Sequence, residues 1–192
     1  MTNVTIFGDG NMGSAIAGVL TAGGATVDHI TTADNGAGTV SGDIVILAVP
    51  YPALDSIVGA YGDQLAGKIV VDITNPVNFE TFDSLTVPAD GSAAAELAAA
   101  LPSSKVLKAF NTTLAPTLAT GTVGPLPTTV LIAGDDADAK AELAAAVTAG
   151  GVQAVDAGSL RRARELEALG FLQISLAIGE KIGWTGGFGV VR

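Results

Sequence analysis

Residues 4–13 of the chain read VTIFGDGNMG, and this stretch contains the most specific structural signal in the sequence. Its first half, from Val4 to Gly8, is an apolar run typical of a strand covered on both faces. The glycines at positions 8, 10 and 13 follow the pattern G-x-G-x-x-G. From Met12 to Leu20, apolar residues recur at spacings of three and four, which predicts an amphipathic helix. A strand, a glycine turn and a helix in this order predict the opening unit of a doubly wound α/β sheet.

Each glycine of this turn has its own expected role. Gly8 permits the tight turn, Gly10 lets the backbone approach a diphosphate because it lacks a Cβ, and Gly13 lets helix and strand pack closely. The N–H groups at the helix start would hold the phosphates. We therefore expect the turn to bind a dinucleotide through Gly8, Asp9, Gly10, Asn11, Met12 and Gly13. The alternative is a glycine-rich turn that only packs.

The rest of the chain alternates between strand and helix patterns. Strands are predicted at 25–30, 43–49, 68–74, 105–110, 128–133 and 152–156, and helices at 53–61, 92–101, 136–149 and from 159 to about 183. This alternation predicts a Rossmann-like, mainly parallel sheet with a short helical C-terminal appendage. We divide the chain into a dinucleotide-binding domain, 1–158, and a helical segment, 159–192. Only the twelve residues 31–42 separate the second and third strands, so one βα unit is shortened or missing.

Composition excludes several classes of function. The 192 residues include no cysteine and a single histidine, His29, so a thiolate, iron–sulfur or multi-histidine metal site is ruled out and no metal is expected. A net charge of −10 disfavours nucleic acid as a partner. No apolar run approaches the length of a membrane helix and no export signal is visible, so we expect a cytoplasmic protein with no membrane contact.

The end of the second strand bears on the choice between NADP and NAD. An acid there would hold the ribose 2′-hydroxyl of NAD. Asp28 lies inside the predicted strand, and the strand ends at Thr31 and Thr32. Because hydroxyls and N–H groups suit a 2′-phosphate, we favour NADP(H), with NAD left open. For His29 we expect a partly buried strand residue with one hydrogen bond.

Two further loops follow predicted strands and should contact the cofactor. Ligands of open α/β sheets lie at the carboxyl ends of the strands. The third strand ends in Ala48, Val49, Pro50 and Tyr51, which we assign to the adenosine or ribose side. The next strand ends in Asn75 and Pro76, which we place nearer the nicotinamide. Ordinary strand-ending turns are the alternative for both.

Five segments together resemble one family. They are IFGDGNMGSAIAGVL at 6–20, IVILAVPYP at 44–52, KIVVDITNPVNF at 68–79, KVLKAFNTT at 105–113 and DAGSLRRARELEAL at 156–169. These segments resemble the NADPH-dependent reductases of the deazaflavin coenzyme F420 and their dinucleotide-binding relatives. The pattern is also similar to the cytoplasmic domain of membrane ferric reductases that pass hydride to a flavin.

The resemblance implies an activity and a second site. It implies hydride transfer between NADP(H) and a deazaflavin or flavin-type acceptor, with Phe110, Asn111 and Thr112 lining the acceptor pocket. Residues 184–188 are weaker candidates for the same pocket. Family members that prefer NADP usually carry Ser-Arg after the second strand, where this chain has Thr31 and Thr32. A non-catalytic NADP(H)-binding redox sensor or scaffold remains the alternative.

No acid–base catalyst is expected, since hydride transfer between stacked rings needs mainly orientation and exclusion of water. Asp72 is a possible base, but a strand-end carboxylate bonded to backbone N–H groups is the stronger interpretation.

The C-terminal segment leaves two questions open. Arg161, Arg162 and Arg164 form either an anion site or helix-surface pairs, Arg161 with Glu165 and Arg164 with Glu167. Apolar residues surround the last helix, which predicts burial against a second copy, as the family resemblance also implies, or beneath the C-terminal tail.

Overall fold

A seven-stranded sheet forms the centre of the computed structural model, which describes residues 2–34 and 36–191. The strands are β1 (Asn3–Phe7), β2 (Thr26–Ile30), β3 (Ile44–Leu47), β4 (Ile69–Asp72), β5 (Lys105–Lys108), β6 (Thr122–Val123), β7 (Leu126–Pro127), β8 (Thr129–Gly134) and β9 (Gln153–Gly158). Strands β6 and β7 form a separate antiparallel hairpin. The main sheet has the order β2-β1-β3-β4-β5-β8-β9.

All neighbouring strands of the main sheet run parallel except β5 and β8, which are antiparallel. The predicted Rossmann-like, mainly parallel fold is therefore confirmed. From β1 the chain goes to β2 on one side and then to β3 on the other. The point where the strand order reverses lies between β1 and β3, and ligands of such sheets bind there.

Within the described residues, six helices flank the sheet. They are α1 (Asn11–Ala22), α2 (Leu54–Leu65), α3 (Ala93–Ala100), α4 (Ala115–Thr120), α5 (Ala137–Ala149) and α6 (Ala163–Ile178). The last helix was predicted to run from 159 to about 183. It instead begins after a 3₁₀ turn, Leu160–Arg162, and ends at Ile178.

The core has two layers, one on each face of the sheet. On one face, α1 contributes Ile16 and Leu20, and α4 and α5 add Leu118 and Leu143. On the other face, α2 and α3 pack apolar side chains against the sheet together with residues around the start of α6. Strands β1, β3 and β4 lie between the two layers, which explains their continuous apolar runs.

The segment between β2 and β3 is short, as the sequence predicts. A 3₁₀ turn, Thr32–Asp34, is the helical structure described between the two strands. No full βα unit is therefore present among the described residues of this segment. Among residues 2–34 and 36–191, no helix has both the length and the apolar character needed to cross a membrane.

Candidate functional site

The fold itself requires the first and third glycines of the turn after β1. Gly8 has a φ of 98°, and a Cβ there would lie 2.4 Å from the carbonyl oxygen of Ala48. A Cβ on Gly13 would lie 2.5 Å from the carbonyl oxygen of Gly8. Both distances are shorter than any non-bonded contact between a Cβ atom and an oxygen. Strand, turn and helix therefore pack this closely only with glycine at these positions.

Gly10 differs from its two neighbours. Its φ is −67°, a value that any residue adopts, and no atom lies within 4 Å of the position that a Cβ would take. Neither backbone conformation nor packing therefore explains a glycine here. The missing side chain leaves open space in front of the N-terminus of α1, as the close approach of a diphosphate requires.

The start of α1 has no side-chain cap. Ser14 donates its hydroxyl to the carbonyl of Asp9 at 2.9 Å, and the His29 ring nitrogen Nδ1 lies 3.0 Å from the carbonyl oxygen of Gly8. These contacts hold the loop backbone while the N–H groups of the first helical turn lack partners within the helix. His29 makes the single bond expected of it but is exposed, not partly buried.

A cleft of about 560 Å³ opens beside this turn. Eight of the residues predicted to bind the cofactor line it, namely Gly8, Asp9, Gly10, Thr31, Thr32, Ala48, Val49 and Pro50. They come from the ends of β1, β2 and β3, so the cleft lies at the point where the strand order reverses. Its position is the one that the topology predicts for a dinucleotide.

Sequence reasoning missed the wall of the cleft formed by α2. Ala53, Ser56, Ile57, Ala60 and Tyr61 also line the cleft, and all five lie on α2 or on the residue that precedes it. The spacing of three and four between these residues was visible in the sequence and marks one helix face. The sequence analysis predicts this helix without assigning a role to any of its faces.

Tyr51 lies outside this cleft. Its hydroxyl donates to a carboxylate oxygen of Glu96 on α3, beside a smaller cavity of about 140 Å³ between α2 and α3. The hydrogen bond to Glu96, together with burial, raises the pKa of Tyr51 to about 12. Asn11, Met12 and Gly13 form the first turn of α1 and are likewise absent from the cleft lining.

An acid lies close to the end of β2, contrary to our reading of the sequence. The Thr31 N–H donates to Asp34 Oδ2 at 2.7 Å, and the Thr31 hydroxyl lies 3.2 Å from the same oxygen. The short 3₁₀ turn brings Asp34 back to the strand end. Asp28 lies within the strand as predicted, and it accepts hydrogen bonds from Thr5 and Ser41.

Two asparagines join the ends of β4 and β5. Asn75 donates to the backbone carbonyl of Asn111 at 2.9 Å, and the Asn111 amide donates to Asn75 Oδ1 at 2.9 Å and to the carbonyl of Leu166 at 2.8 Å. A Cβ on Gly170 would lie 2.3 Å from Asn75 Oδ1, so α6 rests directly on this pair. Pro76, next in the chain, is buried.

Phe110 and Thr112 lie at the carboxyl end of β5. The Phe110 side chain is completely buried in the core, and its φ of 62° is unusual for a residue with a side chain. Because the whole residue is buried, Phe110 has no surface that an acceptor could contact in this conformation. Thr112 shares a cavity of about 10 Å³ with residues 186–188 of the tail, which is too small for a tricyclic ring.

Three charged side chains meet beneath this edge, and the sequence did not reveal them as a group. The ammonium of Lys108 lies 2.8 Å from Asp72 Oδ2 and 2.8 Å from Glu167 Oε1, with all three side chains fully buried. Glu167 also accepts the N–H groups of Ala93 and Ala94 at the start of α3. Burial raises the pKa of Glu167, and Lys108 opposes the rise.

Asp72 accepts the Thr74 N–H at 2.7 Å, as the strand-end interpretation predicts, but it is also an ion-pair partner. The signal in the sequence was a Lys, an Asp and a Glu at positions that should face the core.

The arginines form different pairs from those predicted. Arg162 and Arg164 both pair with Glu165, at 3.4 Å and 3.0 Å. Glu167 is taken by Lys108, which explains why the predicted pair with Arg164 does not form. These contacts are exposed and contribute little to stability.

Comparison with known proteins gives a consistent result. A family model described as "NADP oxidoreductase coenzyme F420-dependent" matches residues 28–76. The F420-dependent NADP reductase of Methanocaldococcus jannaschii is 36% identical over 151 residues, which cover 76% of this chain and 66% of that protein. The chain thus spans just under two thirds of that relative.

Two further relatives match more of their own length. The F420-dependent NADP reductase of Methanothermobacter thermautotrophicus is 31% identical, with 88% of this chain and 75% of that protein covered. The crystal structure of a candidate F420-dependent NADP reductase from Arthrobacter sp. FB24 superposes with a TM-score of 0.84 at 25% identity, and each chain is covered completely. On this evidence the chain belongs to the family of coenzyme F420-dependent NADP oxidoreductases.

Proposed function

We propose that this protein is an NADP(H)-dependent oxidoreductase that transfers hydride between the nicotinamide and a deazaflavin or flavin-type acceptor. One observation carries the cofactor site. Gly10 leaves open space at the mouth of the cleft although neither its φ nor its packing requires glycine. A diphosphate on the N–H groups of α1 accounts for that space, and membership of the family supports NADP(H) as the ligand.

The residues of the cleft bind and orient the nucleotide. Gly8, Gly10 and the start of α1 would hold the diphosphate, and Ala48 to Pro50 with the α2 face would enclose the adenosine half. Because β4 and β5 follow β3 in the sheet, a dinucleotide extending from the turn brings its nicotinamide toward Asn75. The hydrogen-bonded pair of Asn75 and Asn111 gives that end a fixed surface.

Held by these residues, NADPH would supply the hydride, two electrons with the hydrogen of nicotinamide C4, for a new C–H bond on the acceptor ring. A proton from solvent balances the reduced acceptor. The titratable side chains among the described cleft-lining residues are Asp9 and Tyr61. Lys108 is completely buried against two carboxylates and is not available for proton transfer. We assign the protein the tasks of orientation and water exclusion, with no catalytic acid or base.

We further propose that Phe110, Asn111 and Thr112 border the acceptor and that the protein acts as a homodimer through the segment 159–192. The cavity beside Thr112 must enlarge before a tricyclic ring fits. Displacement of residues 186–188 would provide the space, since they form the other side of that cavity.

Stopped-flow absorbance of NADPH with coenzyme F420, FMN, FAD and a quinone tests the reaction. Oxidation of NADPH by the deazaflavin or by a flavin supports the proposal. Micromolar binding of NADPH without turnover by any acceptor would overturn it in favour of a redox sensor.

Gly10→Val tests the cofactor site in the same preparation. A side chain there would fill the space left for the diphosphate, so NADPH affinity should fall by about a hundredfold or more. Gly18→Val is the matched control, because Gly18 also has open space around it but lies further along α1. Wild-type NADPH affinity in Gly10→Val would contradict the diphosphate assignment.

A further inference from the structure

The segment that builds the cleft has an unusual charge. Residues 1–67 contain six aspartates and no lysine, arginine or glutamate. Every described residue that lines the cleft belongs to this segment, so the described lining carries no cationic side chain. A phosphate in this cleft must therefore be held by N–H and hydroxyl groups alone.

The cations among the described residues are engaged or lie outside the cleft. Lys68 donates to the carbonyl of Gly42, at the amino edge of the sheet. Five others are paired with acids, namely Lys105, Lys108, Lys140, Arg162 and Arg164. Arg161 and Lys181 are not part of the cleft lining, and Arg192 lies outside the described residues. No described cation is thus placed to compensate a second phosphate on the adenosine.

Asp34 occupies both donors of Thr31 at the end of β2. Its Oδ2 atom accepts the Thr31 N–H at 2.7 Å and lies 3.2 Å from the Thr31 hydroxyl. Thr31 lines the cleft, so the carboxylate lies within one hydrogen bond of the lining. A 2′-phosphate on the ribose would compete with this carboxylate for the same donors and would be repelled by its charge.

A 2′-hydroxyl has the opposite relation to Asp34, because it can donate to a carboxylate oxygen. We propose that Asp34 determines cofactor specificity by weakening the binding of the 2′-phosphate, so that the chain binds NADH and NADPH with comparable affinity. This inference rests on the proposed dinucleotide function. The missing βα unit is the cause, since the short turn brings Asp34 back to Thr31.

Titration calorimetry of NADPH and NADH on the wild type and on Asp34→Asn tests this inference. Asparagine keeps one oxygen that can accept the Thr31 N–H, removes the charge and replaces the other oxygen by an NH2 donor. We expect dissociation constants within about tenfold of each other for the wild type, and a shift of about tenfold in their ratio toward NADPH in the variant. Asp43→Asn, at the amino edge of the sheet, makes the same charge change away from the cleft and should leave the ratio unchanged.

The dependence of both affinities on ionic strength provides a second measurement. Raising the ionic strength screens the repulsion between Asp34 and the 2′-phosphate, so the wild-type ratio should move toward NADPH, and Asp34→Asn should respond less. An unchanged ratio in Asp34→Asn, or a wild-type preference for NADPH beyond a hundredfold, overturns the inference while the proposed function stands. Binding of neither nucleotide by the wild type would instead contradict the proposed function.

Discussion

Lys108 is a charged residue with no access to solvent, and two carboxylates from other elements neutralise it. Lys108→Met leaves Asp72 and Glu167 buried without their cation. Breaking a buried ion pair by removal of one partner costs about 3–5 kcal/mol, so we expect a loss of that size in the free energy of unfolding at pH 7. Urea denaturation measures it, and Lys181→Met, at an exposed position, should change stability by less than about 0.5 kcal/mol.

The sign of the pH dependence separates this effect from a simple packing defect. Burial already raises the pKa of Glu167 above its usual 4.5, and Lys108→Met removes the charge that opposes the rise. An acid with a raised pKa in the folded state loses stability as the pH rises from its unfolded pKa through its folded one. The variant should therefore regain part of its stability at pH 5. A loss of equal size at both pH values would contradict the ion-pair explanation.

Residues of the glycine turn were predictable because their roles depend on neighbours within a few positions. Gly8, Gly10 and Gly13 carry that information in spacing and backbone chemistry alone. The contacts of Lys108 and Asp34 depend instead on how far the chain turns between elements. The Thr31–Asp34 hydrogen bonds depend on a tight 3₁₀ turn, and no pattern in residues 31–34 predicts that turn.

Helix α3 illustrates how an element is fixed at its start. The Ser92 hydroxyl accepts the Ala95 N–H at 3.1 Å, and Ser92 is buried. Ser92→Ala removes this cap and should cost about 1 kcal/mol, or roughly 2–4 °C in the unfolding temperature of a chain of this size. Differential scanning calorimetry measures the change.

Ser175→Ala is the matched control for the cap. Ser175 lies inside α6 and donates back to the carbonyl of Phe171, a contact that adds little to helix stability. Because alanine is the better helix former, this variant should be neutral or slightly more stable. Equal losses in the two serine variants would show that the Ser92 hydrogen bond does not fix α3.

The end of α6 shows where element prediction failed. The sequence after Ile178 reads Gly179, Glu180, Lys181 and Ile182, and the predicted helix runs through Gly179 to about Gly183 although glycine commonly ends a helix. The backbone ends the helix at Gly179, after which Glu180 has a φ of 56°, and the Lys181 N–H bonds back to the carbonyl of Leu176. A left-handed Glu is a rare choice at this position, which explains why it could not be anticipated.

At the scale of the fold, the mainly parallel sheet followed from the alternation of strand and helix patterns. The antiparallel direction of β8 did not, because it depends on the chain reversal through α4 and the β6–β7 hairpin. The candidate site, like the sheet, was predictable only in part. Its glycine turn and the Ala48–Pro50 loop meet at the sheet edge, whereas the tail that closes the cavity beside Thr112 comes from the least regular part of the chain.

The exposed apolar side chains of the C-terminal segment lead to a prediction about assembly. Leu172 is 49% exposed and Ile178 44% on α6, and Trp184 and Phe188 are about half exposed in the tail. Burial of such side chains against a second copy would stabilise a homodimer by removing apolar surface from water. Light scattering after size-exclusion chromatography should give about twice the chain mass for the wild type.

Leu172→Glu should shift the measured mass toward that of the monomer, because a charge would be buried in the interface. Ala66→Glu adds the same charge at the end of α2 and should leave the dimer intact. A wild-type protein that remains monomeric at tens of micromolar would exclude this interface and leave the apolar tail to the acceptor site alone.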